Sequence, residues 1–600
     1  MGWPNNYVQG VYDSSGKVVG IDDGGGNSIP LTVAASSFTS LTAALDYAAS
    51  NAVELLVDGD YALTDGYTTT SPLMLNITGK IRTGTTKGIQ VFLPPLQVDT
   101  VTSISNVRWP TATGIESVTR LTVSDGTKFS RNDFCQLRSL DEYFPVIGGV
   151  KRKGEGVRVS EVVGNEVYLS GVISDTYTTG VQLVKLNKGV INIRTTGNGV
   201  MTFDGDPYSI SSKTKFAAIE ISGAVRPTVD IKVENDIADA VRLYTCANYH
   251  VKATISNLRN NDGQGVFGYG VSAYGSCFSG YAEVYASNVR HAFTTGVWSS
   301  DILAGLQIRD GRAVDCVVSG IATDCSYAAW DSHEQSVNTI FLNCGVVHTT
   351  STTVDNNSNG NAFAFQLRGI NEKIINAWTK GVRSLFVFQS PVTDYIGITN
   401  ATEVIGGIFE RAPEINQSGF ANVPTKTSSN PVKIVIKGAT FKGYIPNQNT
   451  NSNILSFEDV NFDMTGYTTS NAIFNPDNNG GFDFLNVKFI NFPNIRWGQG
   501  NTSKLIDCKR INTIGANIEA MLFGAGSNFT MHNYYADAPS YWLGCILSVG
   551  TATITTPVVC NIGDIYGKGT IATPLRKADA GTIVTLNLMK RTPSVAGDFV

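Results

Sequence analysis

Charged side chains are scarce in this chain of 600 residues. Lys and Arg (45) and Asp and Glu (50) make up 16% of it, against roughly 25% in an ordinary soluble domain. A coiled coil or long helical bundle needs a charged, Ala- and Leu-rich composition and is excluded. Disorder is excluded too, because 42% of the residues are hydrophobic. Gly, Ser, Thr and Asn take the place of charge and favour strands and turns, so a large β-rich body is expected.

The sequence also lacks long apolar runs and paired cysteines that could bind a metal ion. No stretch approaches the ~18 apolar residues of a transmembrane helix, and the start, from Met1 to Tyr7, lacks the segments of a secretory signal. We therefore expect no membrane insertion. The net charge of −5 argues against a nucleic-acid partner. The nine cysteines include no C-x-x-C pair, which indicates buried free thiols in a protein made in a reducing cytoplasm, with no metal and no cofactor.

One amphipathic helix is predicted near the start of the chain. The hydroxyls of residues 37–40 can cap it, and apolar residues recur at helical spacing from Leu41 to Ala49. Asn51 ends the helix, and residues 53–61 are typical of strand, turn and strand. A single helix ahead of many strands is the expected cap of a β stack, covering an edge that would otherwise aggregate.

Apolar pairs five residues apart recur in the second half of the chain. Since side chains alternate along a strand, two residues five apart share a face only if the chain bends between them. Successive pairs begin 32, 21, 27 and 22 residues apart, which predicts a parallel β-solenoid rather than a jelly roll or sandwich. The pairs are Val404 and Phe409, Ile436 and Phe441, Phe457 and Phe462, Phe484 and Phe489, and Ile506 and Ile511.

The domain boundaries follow from these sequence patterns. Short strands of irregular period at 95–188 predict a small antiparallel barrel or sandwich inserted into the solenoid. We expect an N-terminal segment at 1–36, the cap helix and first rungs at 37–94, the main parallel solenoid with a substrate groove at 189–515, and a C-terminal β region at 516–600.

Histidine and aromatic residues concentrate in the middle of the chain. Four of the five histidines lie between His250 and His348, and an aromatic-lined, weakly charged groove suits a carbohydrate. The residues expected to bind substrate are Arg290, Tyr269, Trp298, Trp330, Arg368 and Gln366. Some of these aromatics are equally compatible with core packing.

Two polar segments in this region carry the candidate chemistry. One is residues 288–296, with His291, and the other is residues 329–336, where an Asp, a His and a Glu fall within four residues. Glycoside hydrolysis needs a protonated carboxylic acid and a second carboxylate. We predict Glu334 and Asp331 as that pair, with His333 and His291 orienting them or tuning their pKa values.

Several alternatives remain open. A lyase would use His291 as a base with Arg290 or Arg368 on the substrate carboxylate, and a binding-only adhesin needs no catalytic pair. Residues 331–334 can also form a polar corner bonded only to itself and the backbone. Other carboxylates able to serve a site are Asp301, Glu372, Glu403 and Glu410.

Four parts of the sequence are distinctive: the helix and strand at 37–63, the inserted unit ending at 167–169, and the segments 290–296 and 330–334. Together they resemble phage tailspikes, in particular the depolymerases of phages that infect encapsulated bacteria such as Acinetobacter. The resemblance implies an all-β, right-handed parallel β-helix that assembles as an intertwined homotrimer and cleaves capsular polysaccharide. In such a trimer, residues 516–600 would stabilise the assembly or serve accessory binding. The resemblance also implies a place on the phage tail, reached through an N-terminal domain outside this chain, after synthesis in the host cytoplasm. The aspartate cluster that holds calcium in pectate lyases is absent, so no metal is carried over.

Overall fold

The structure is a computed structural model of the chain, which divides into two compact units, residues 1–316 and 317–600. It describes residues 9–12, 18–22, 28–30, 32–111, 114–143, 152–205, 217–237, 239–258, 268–296, 310–333, 335–349, 363–388, 401–413, 419–422, 433–445, 454–467, 472–474, 481–492, 495–497, 502–511, 519–521, 528–537, 540–541, 544–545, 558–562, 565–567, 570–571 and 584–588.

The predicted cap helix is present. A short 3₁₀ turn, Ala35–Ser37, precedes helix α1, Leu41–Asn51. Ser40 caps the helix by accepting a hydrogen bond from the Ala43 backbone nitrogen at 3.1 Å, and Ala52 ends it with a φ of 50°. The apolar residues at helical spacing form its buried face: Leu41, Ala44, Leu45, Ala48 and Ala49.

The first unit is built from parallel strands around an inserted barrel. One parallel stack contains β4, β5, β8, β17, β20, β22 and β24. A second contains β7, β10, β19, β21, β23 and β25. In chain order, β1 to β25 are Gln9–Tyr12, Val18–Asp22, Ser28–Pro30, Thr32–Ala34, Glu54–Val57, Asp60–Leu63, Tyr67–Thr69, Leu73–Ile77, Lys80–Thr83, Ile89–Phe92, Gln97–Thr111, Gly114–Val123, Phe134–Glu142, Arg152–Val163, Glu166–Leu169, Gln182–Lys185, Ile191–Thr195, Val200–Phe203, Ala217–Ser222, Thr228–Glu234, Asp239–Tyr244, His250–Ser256, Tyr269–Tyr274, Tyr281–Ser287 and His291–Gly296.

The inserted unit is a closed antiparallel barrel with strand order β11, β12, β15, β14, β13 and β16. It leaves the parallel stacks after β10 and rejoins them at β17. Its interior is apolar, with Leu121, Leu137, Val159 and Leu183 fully buried. The barrel therefore has a hydrophobic core of its own.

The second unit is likewise built from parallel strands. Strands β28, β30, β33, β36, β38, β41, β44, β47, β51 and β54 form one stack, and β27, β29, β32 and β35 form another. In chain order, β26 to β54 are Val317–Thr323, Trp330–Ser332, Ile340–Val347, Phe363–Leu367, Lys373–Ile375, Trp378–Lys380, Ser384–Phe388, Ala401–Ile405, Ile408–Glu410, Gly419–Asn422, Lys433–Lys437, Thr440–Lys442, Ile454–Glu458, Asn461–Asp463, Ala472–Phe474, Gly481–Leu485, Lys488–Ile490, Ile495–Trp497, Thr502–Ile506, Lys509–Ile511, Glu519–Met521, Asn528–His532, Tyr534–Asp537, Ser540–Tyr541, Gly544–Cys545, Val558–Ile562, Ile565–Gly567, Thr570–Ile571 and Val584–Leu588.

A bend separates the members of each apolar pair, as the spacing of five predicted. The corner residues have positive φ: Gly406, Gly438, Asp459, Asn486 and Asp507, between 52° and 67°. The bend turns both side chains inward, and the second members stack, with ring centroids 5.0 Å apart for Phe409 and Phe441 and 5.2 Å for Phe441 and Phe462. The predicted fold class, an all-β parallel β-helix with a cap helix and a small inserted β domain, is confirmed. The homotrimer stays a prediction.

The last of the five pairs was wrong by one residue. Leu505 and Arg510 are fully buried, whereas Ile506 and Ile511 are half-buried. The register agrees, because Leu505 lies beside Phe484 and Arg510 beside Phe489. Arg510 occupies an inward position because its Nη2 donates to the Phe492 carbonyl oxygen at 3.2 Å, a bond that an apolar pattern cannot reveal.

Seven of the nine cysteines have side chains that the structure describes, and these seven are buried, as expected. Those whose side chains the structure describes are free thiols inside the core: Cys135, Cys246, Cys277, Cys316, Cys325, Cys344 and Cys508. Within the described ranges, no helix has the length and apolar character needed to cross a bilayer.

Candidate functional site

A polar cluster in the second unit surrounds the carboxylate of Asp331. This residue lies in the middle of β27 and is fully buried. Nη2 of Arg368 donates to Oδ1 at 2.8 Å and to Oδ2 at 3.1 Å, and Nε2 of His333 lies 3.1 Å from Oδ2. Three residues that the sequence predicted as site residues are therefore brought into direct contact.

The alternation of strand β27 explains why Asp331 occupies this position. Trp330 points into the core, where its Nε1 donates to the Gly345 carbonyl oxygen at 3.2 Å. Successive side chains of a strand point to opposite faces, so Asp331 faces the other way. The register places it beside Gln366 of β29. Trp330 itself is fully buried, which gives it the environment of a core residue, and its role in substrate binding stays a prediction.

Two contacts to Ser332 hold Arg368 in place. Its Nε donates to the Ser332 carbonyl oxygen and its backbone nitrogen donates to Ser332 Oγ, both at 3.2 Å. The Arg368 side chain is 13% exposed and that of His333 is 32% exposed. The imidazole is therefore the most exposed of the three groups, and Asp331 lies behind it.

The buried carboxyl group of Glu372 lies next to this cluster. Its Oε2 accepts from the Gly369 backbone nitrogen at 2.9 Å and its Oε1 from Ser336 Oγ at 3.0 Å. Burial, reinforced by the negative charge of Asp331, raises the pKa of Glu372 to about 7. Because Ser336 Oγ also lies 3.0 Å from the His333 carbonyl oxygen, Glu372 connects the segment carrying His333 to the one that follows Arg368.

A glycine is required where these two segments meet. A Cβ on Gly369 would lie 2.3 Å from Ser336 Oγ and 2.5 Å from Glu372 Oε1. Any larger residue would therefore push the segments apart. Glu372, one of the alternative carboxylates in the sequence, thus has the contacts of a positioning residue.

Gln366 presents an unsatisfied acceptor beside Asp331. Its side chain is 6% exposed, and Oε1 is buried with no hydrogen-bond partner among the residues described. Buried acceptors are normally paired, so an orphaned one suggests a missing donor. A saccharide hydroxyl is one group that would supply it.

His291 belongs to the first unit. It is 1% exposed, and its ring centroid lies 4.8 Å from that of Tyr269, which is itself 7% exposed. Cζ of Arg290 lies 5.9 Å from the same tyrosine ring. The structure thus brings His291, Arg290 and Tyr269 together within the first unit, and Asp331, His333, Arg368 and Gln366 together within the second.

A buried ion pair in strand β21 was not predicted from the sequence. Nη2 of Arg242 donates to Asp239 Oδ2 at 2.7 Å, and both residues are at most 1% exposed. Ser272 Oγ donates to the same oxygen at 2.8 Å, and Arg242 Nη1 lies 3.3 Å from the Tyr244 hydroxyl. Two opposite charges three residues apart in an otherwise apolar strand were the available signal.

The remaining candidates divide into two groups. Glu403 and Glu410 lie at ion pairs with Lys373 and Lys442, at 2.8 and 4.0 Å. Three predicted residues lie outside the described residues: Glu334, Trp298 and Asp301. Within the described part of the chain, no group of three or more His, Cys, Asp or Glu side chains could hold a metal ion.

No protein-family model matches the chain. Among solved structures, the tailspike gp49 of Pseudomonas phage LKA1 superposes with a TM-score of 0.50 at 15% identity, covering 85% of this chain and 75% of that one. The fold is that of a phage tailspike. The Gp54 tailspike of Acinetobacter baumannii phage AP22, solved in complex with A. baumannii capsular saccharide, gives a TM-score of 0.49 at 14% identity over 96% of this chain and 81% of that one. The tailspike gp61 of Pseudomonas phage phi297 gives 0.43 at 11% identity, over 87% and 78%.

Proposed function

We propose that this chain is a phage tailspike that binds a capsular or extracellular polysaccharide of its bacterial host and hydrolyses glycosidic bonds within it. The observation that carries the proposal is the contact between the buried Asp331 carboxylate and the partly exposed His333 imidazole, with Arg368 on the other side. The tailspike fold supports a surface polysaccharide as the substrate. As a tailspike it would act as a homotrimer on the virion tail.

Hydrolysis needs one group to protonate the leaving oxygen and another to activate water. Asp331 is fully buried, which favours an orienting role through the 3.1 Å contact with His333. An imidazole oriented by a carboxylate can take a proton from water. Glu334 directly follows His333 in the chain, and we propose it as the acid that donates a proton to the leaving oxygen. The water oxygen then bonds to the anomeric carbon as the glycosidic bond breaks.

The same Asp331–His333 contact favours one second candidate, a polysaccharide lyase. A carboxylate-oriented imidazole can instead remove the proton next to the carboxyl group of a uronic acid. Arg368 lies close by and is 13% exposed, so it could face the substrate carboxylate. The product would carry a double bond, and no water would be consumed.

The test uses purified capsule and three matched variants. The wild type is expected to shorten the polysaccharide, giving products without a new double bond. Asp331→Asn and Glu334→Gln should retain binding and lose about 100-fold or more of the cleavage rate. Glu403→Gln, a carboxylate of the same unit that pairs with Lys373, should cleave like the wild type.

The other outcomes separate the alternatives. An unsaturated end on every product would indicate the lyase. Binding without any shortening by the wild type would indicate an adhesin. Full activity of both Asp331→Asn and Glu334→Gln would place the catalytic groups elsewhere.

A further inference from the structure

A cleft of about 400 Å³ separates the inserted barrel from the parallel strands of the first unit. Its barrel wall includes Val157, Arg158 and Val172, and its opposite wall includes Arg226, Asn248 and Asp315. This volume falls within the range of roughly 300 to 1,000 Å³ that is typical of small-ligand sites. Its lining shares no residue with the Asp331 cluster.

The floor of the cleft is aromatic. The rings of Phe134 and Phe278 lie 5.7 Å apart, and both residues are nearly buried. Gly156 makes this packing possible, because a Cβ at that position would lie 1.8 Å from the Phe278 ring. Barrel and parallel strands thus meet through close contact beneath the opening.

A column of exposed corner residues forms the wall opposite the barrel. Arg226, Asn248, Ser279 and Asp315 follow successive paired positions and all have φ between 52° and 58°. Neighbouring strands are about 4.8 Å apart, so these side chains project in a closely spaced row. Asn and Asp tolerate this conformation well, whereas an arginine held there is strained. Strain retained at a cleft is a reason to look for a ligand.

Two arginines, Arg158 and Arg226, line the cleft. Arg226 is exposed and has no ion-pair partner among the described residues. Arg158 is fixed by its Nη2, which lies 2.6 Å from Asn132 Oδ1, and by the Phe134 ring, 5.7 Å from its Cζ. The lining also contains two acidic residues: Asp315, on the exposed rim, and Glu155, which is buried. Guanidinium groups bind carboxylates with good geometry.

We infer that this cleft binds a carboxylated sugar residue and does not cleave it. The arginines would hold the carboxylate, and the exposed side chain of Val172, 50% accessible, would contact the C–H face of the ring. A bacterial surface polysaccharide is the natural source of such a sugar, and in this respect the inference rests on the proposed function. The cleft would be a second attachment point on the same polymer.

The experiment measures binding of three small probes to the full chain by saturation-transfer NMR and calorimetry. Glucuronic acid should bind, whereas glucose and inorganic phosphate should bind at least tenfold more weakly. Arg226→Asn keeps a residue suited to the corner and removes the charge, so glucuronic acid should bind about tenfold more weakly. Arg158→Gln should have a similar effect, Asp315→Asn should strengthen binding, and the exposed control Arg383→Asn should change nothing.

Several results would overturn the inference. They are failure of glucuronic acid to bind, equal binding of phosphate or glucose, and wild-type affinity in Arg226→Asn. The proposed function is separable from it: Asp331→Asn should bind glucuronic acid like the wild type, and Arg226→Asn should cleave short oligosaccharides at the wild-type rate. Loss of cleavage with binding intact would leave this site standing.

Discussion

Nε2 of His333 lies 3.1 Å from Oδ2 of Asp331, and the two side chains differ sharply in exposure: Asp331 is fully buried, whereas 32% of His333 is accessible. A buried carboxylate that contacts a more exposed imidazole fixes the orientation of the ring. Arg368, which contacts both oxygens of Asp331, keeps that carboxylate from turning away. The arrangement supports proton transfer at His333, with Asp331 acting through it.

If Asp331 and His333 work as a unit, the increases in activation free energy caused by the two single substitutions should not add in the double variant. Asp331→Asn and His333→Gln are each expected to lower kcat by about 100-fold, and the double variant should lose little more. Polysaccharide binding should persist in all three. The measurement is a double-mutant cycle on kcat and KM with capsule fragments, and a double variant equal to the product of the two single losses would refute the coupling.

Glu372 gives a pH dependence of stability. Its pKa is raised from 4.5 to about 7 in the folded chain. Between these values the folded state binds more protons than the unfolded state, so stability falls as the pH rises from 4.5 to 7. Glu372→Gln removes this loss, because an amide stays neutral and Ser336 can accept from it.

The free energy of unfolding of Glu372→Gln should therefore exceed that of the wild type by up to about 3 kcal/mol at pH 8, so the variant should melt at a higher temperature there. At pH 4 the two proteins should melt at nearly the same temperature. Scanning calorimetry at one fixed heating rate provides the comparison. Glu403→Gln, whose carboxylate is partly exposed, serves as the control. A wild type and Glu372→Gln that keep the same difference at both pH values would contradict the assignment.

Gln366 should affect binding more than stability. Its Oε1 has no partner within the described residues, so Gln366→Leu breaks no known protein hydrogen bond at that atom. We expect unchanged or slightly higher thermal stability and about five- to tenfold weaker binding of capsule fragments. A large loss of stability with normal affinity would show that Gln366 is structural.

Trp330 should behave in the opposite way. Trp330→Phe loses the bond to the Gly345 carbonyl oxygen and leaves space in the core, which should cost roughly 1 to 3 kcal/mol of stability. Polysaccharide affinity should stay within twofold of the wild type. Melting curves and calorimetric titration give the two values. A selective loss of affinity would favour the substrate-binding role.

Local patterns predicted the fold well. The helical spacing from Leu41 to Ala49 located the cap helix, and the spacing of five located the corners. Both patterns depend only on the positions of apolar residues that are close together in the sequence. The pattern failed at Ile506 and Ile511, where the buried Arg510 takes an inward position through a bond to the Phe492 carbonyl. An apolar period cannot identify a buried arginine.

The site was harder to predict because its contacts join distant residues. Asp331 and His333 were visible as charges in a sparsely charged chain, but the contact with Arg368 depends on the register between β27 and β29. That register also makes Asp331 buried, which the sequence could not show. Asp239 and Arg242 were overlooked because the apolar residues around them made the strand look like plain core.

Cleavage of purified capsule in water enriched in heavy oxygen tests the central claim most directly. Mass spectrometry of the products should show one heavy oxygen for each bond cut by the wild type, no unsaturated ends, and about 100-fold slower product formation by Asp331→Asn at equal enzyme concentration. Unsaturated ends without incorporated label, or labelled products formed by Asp331→Asn as fast as by the wild type, would contradict hydrolysis at this site.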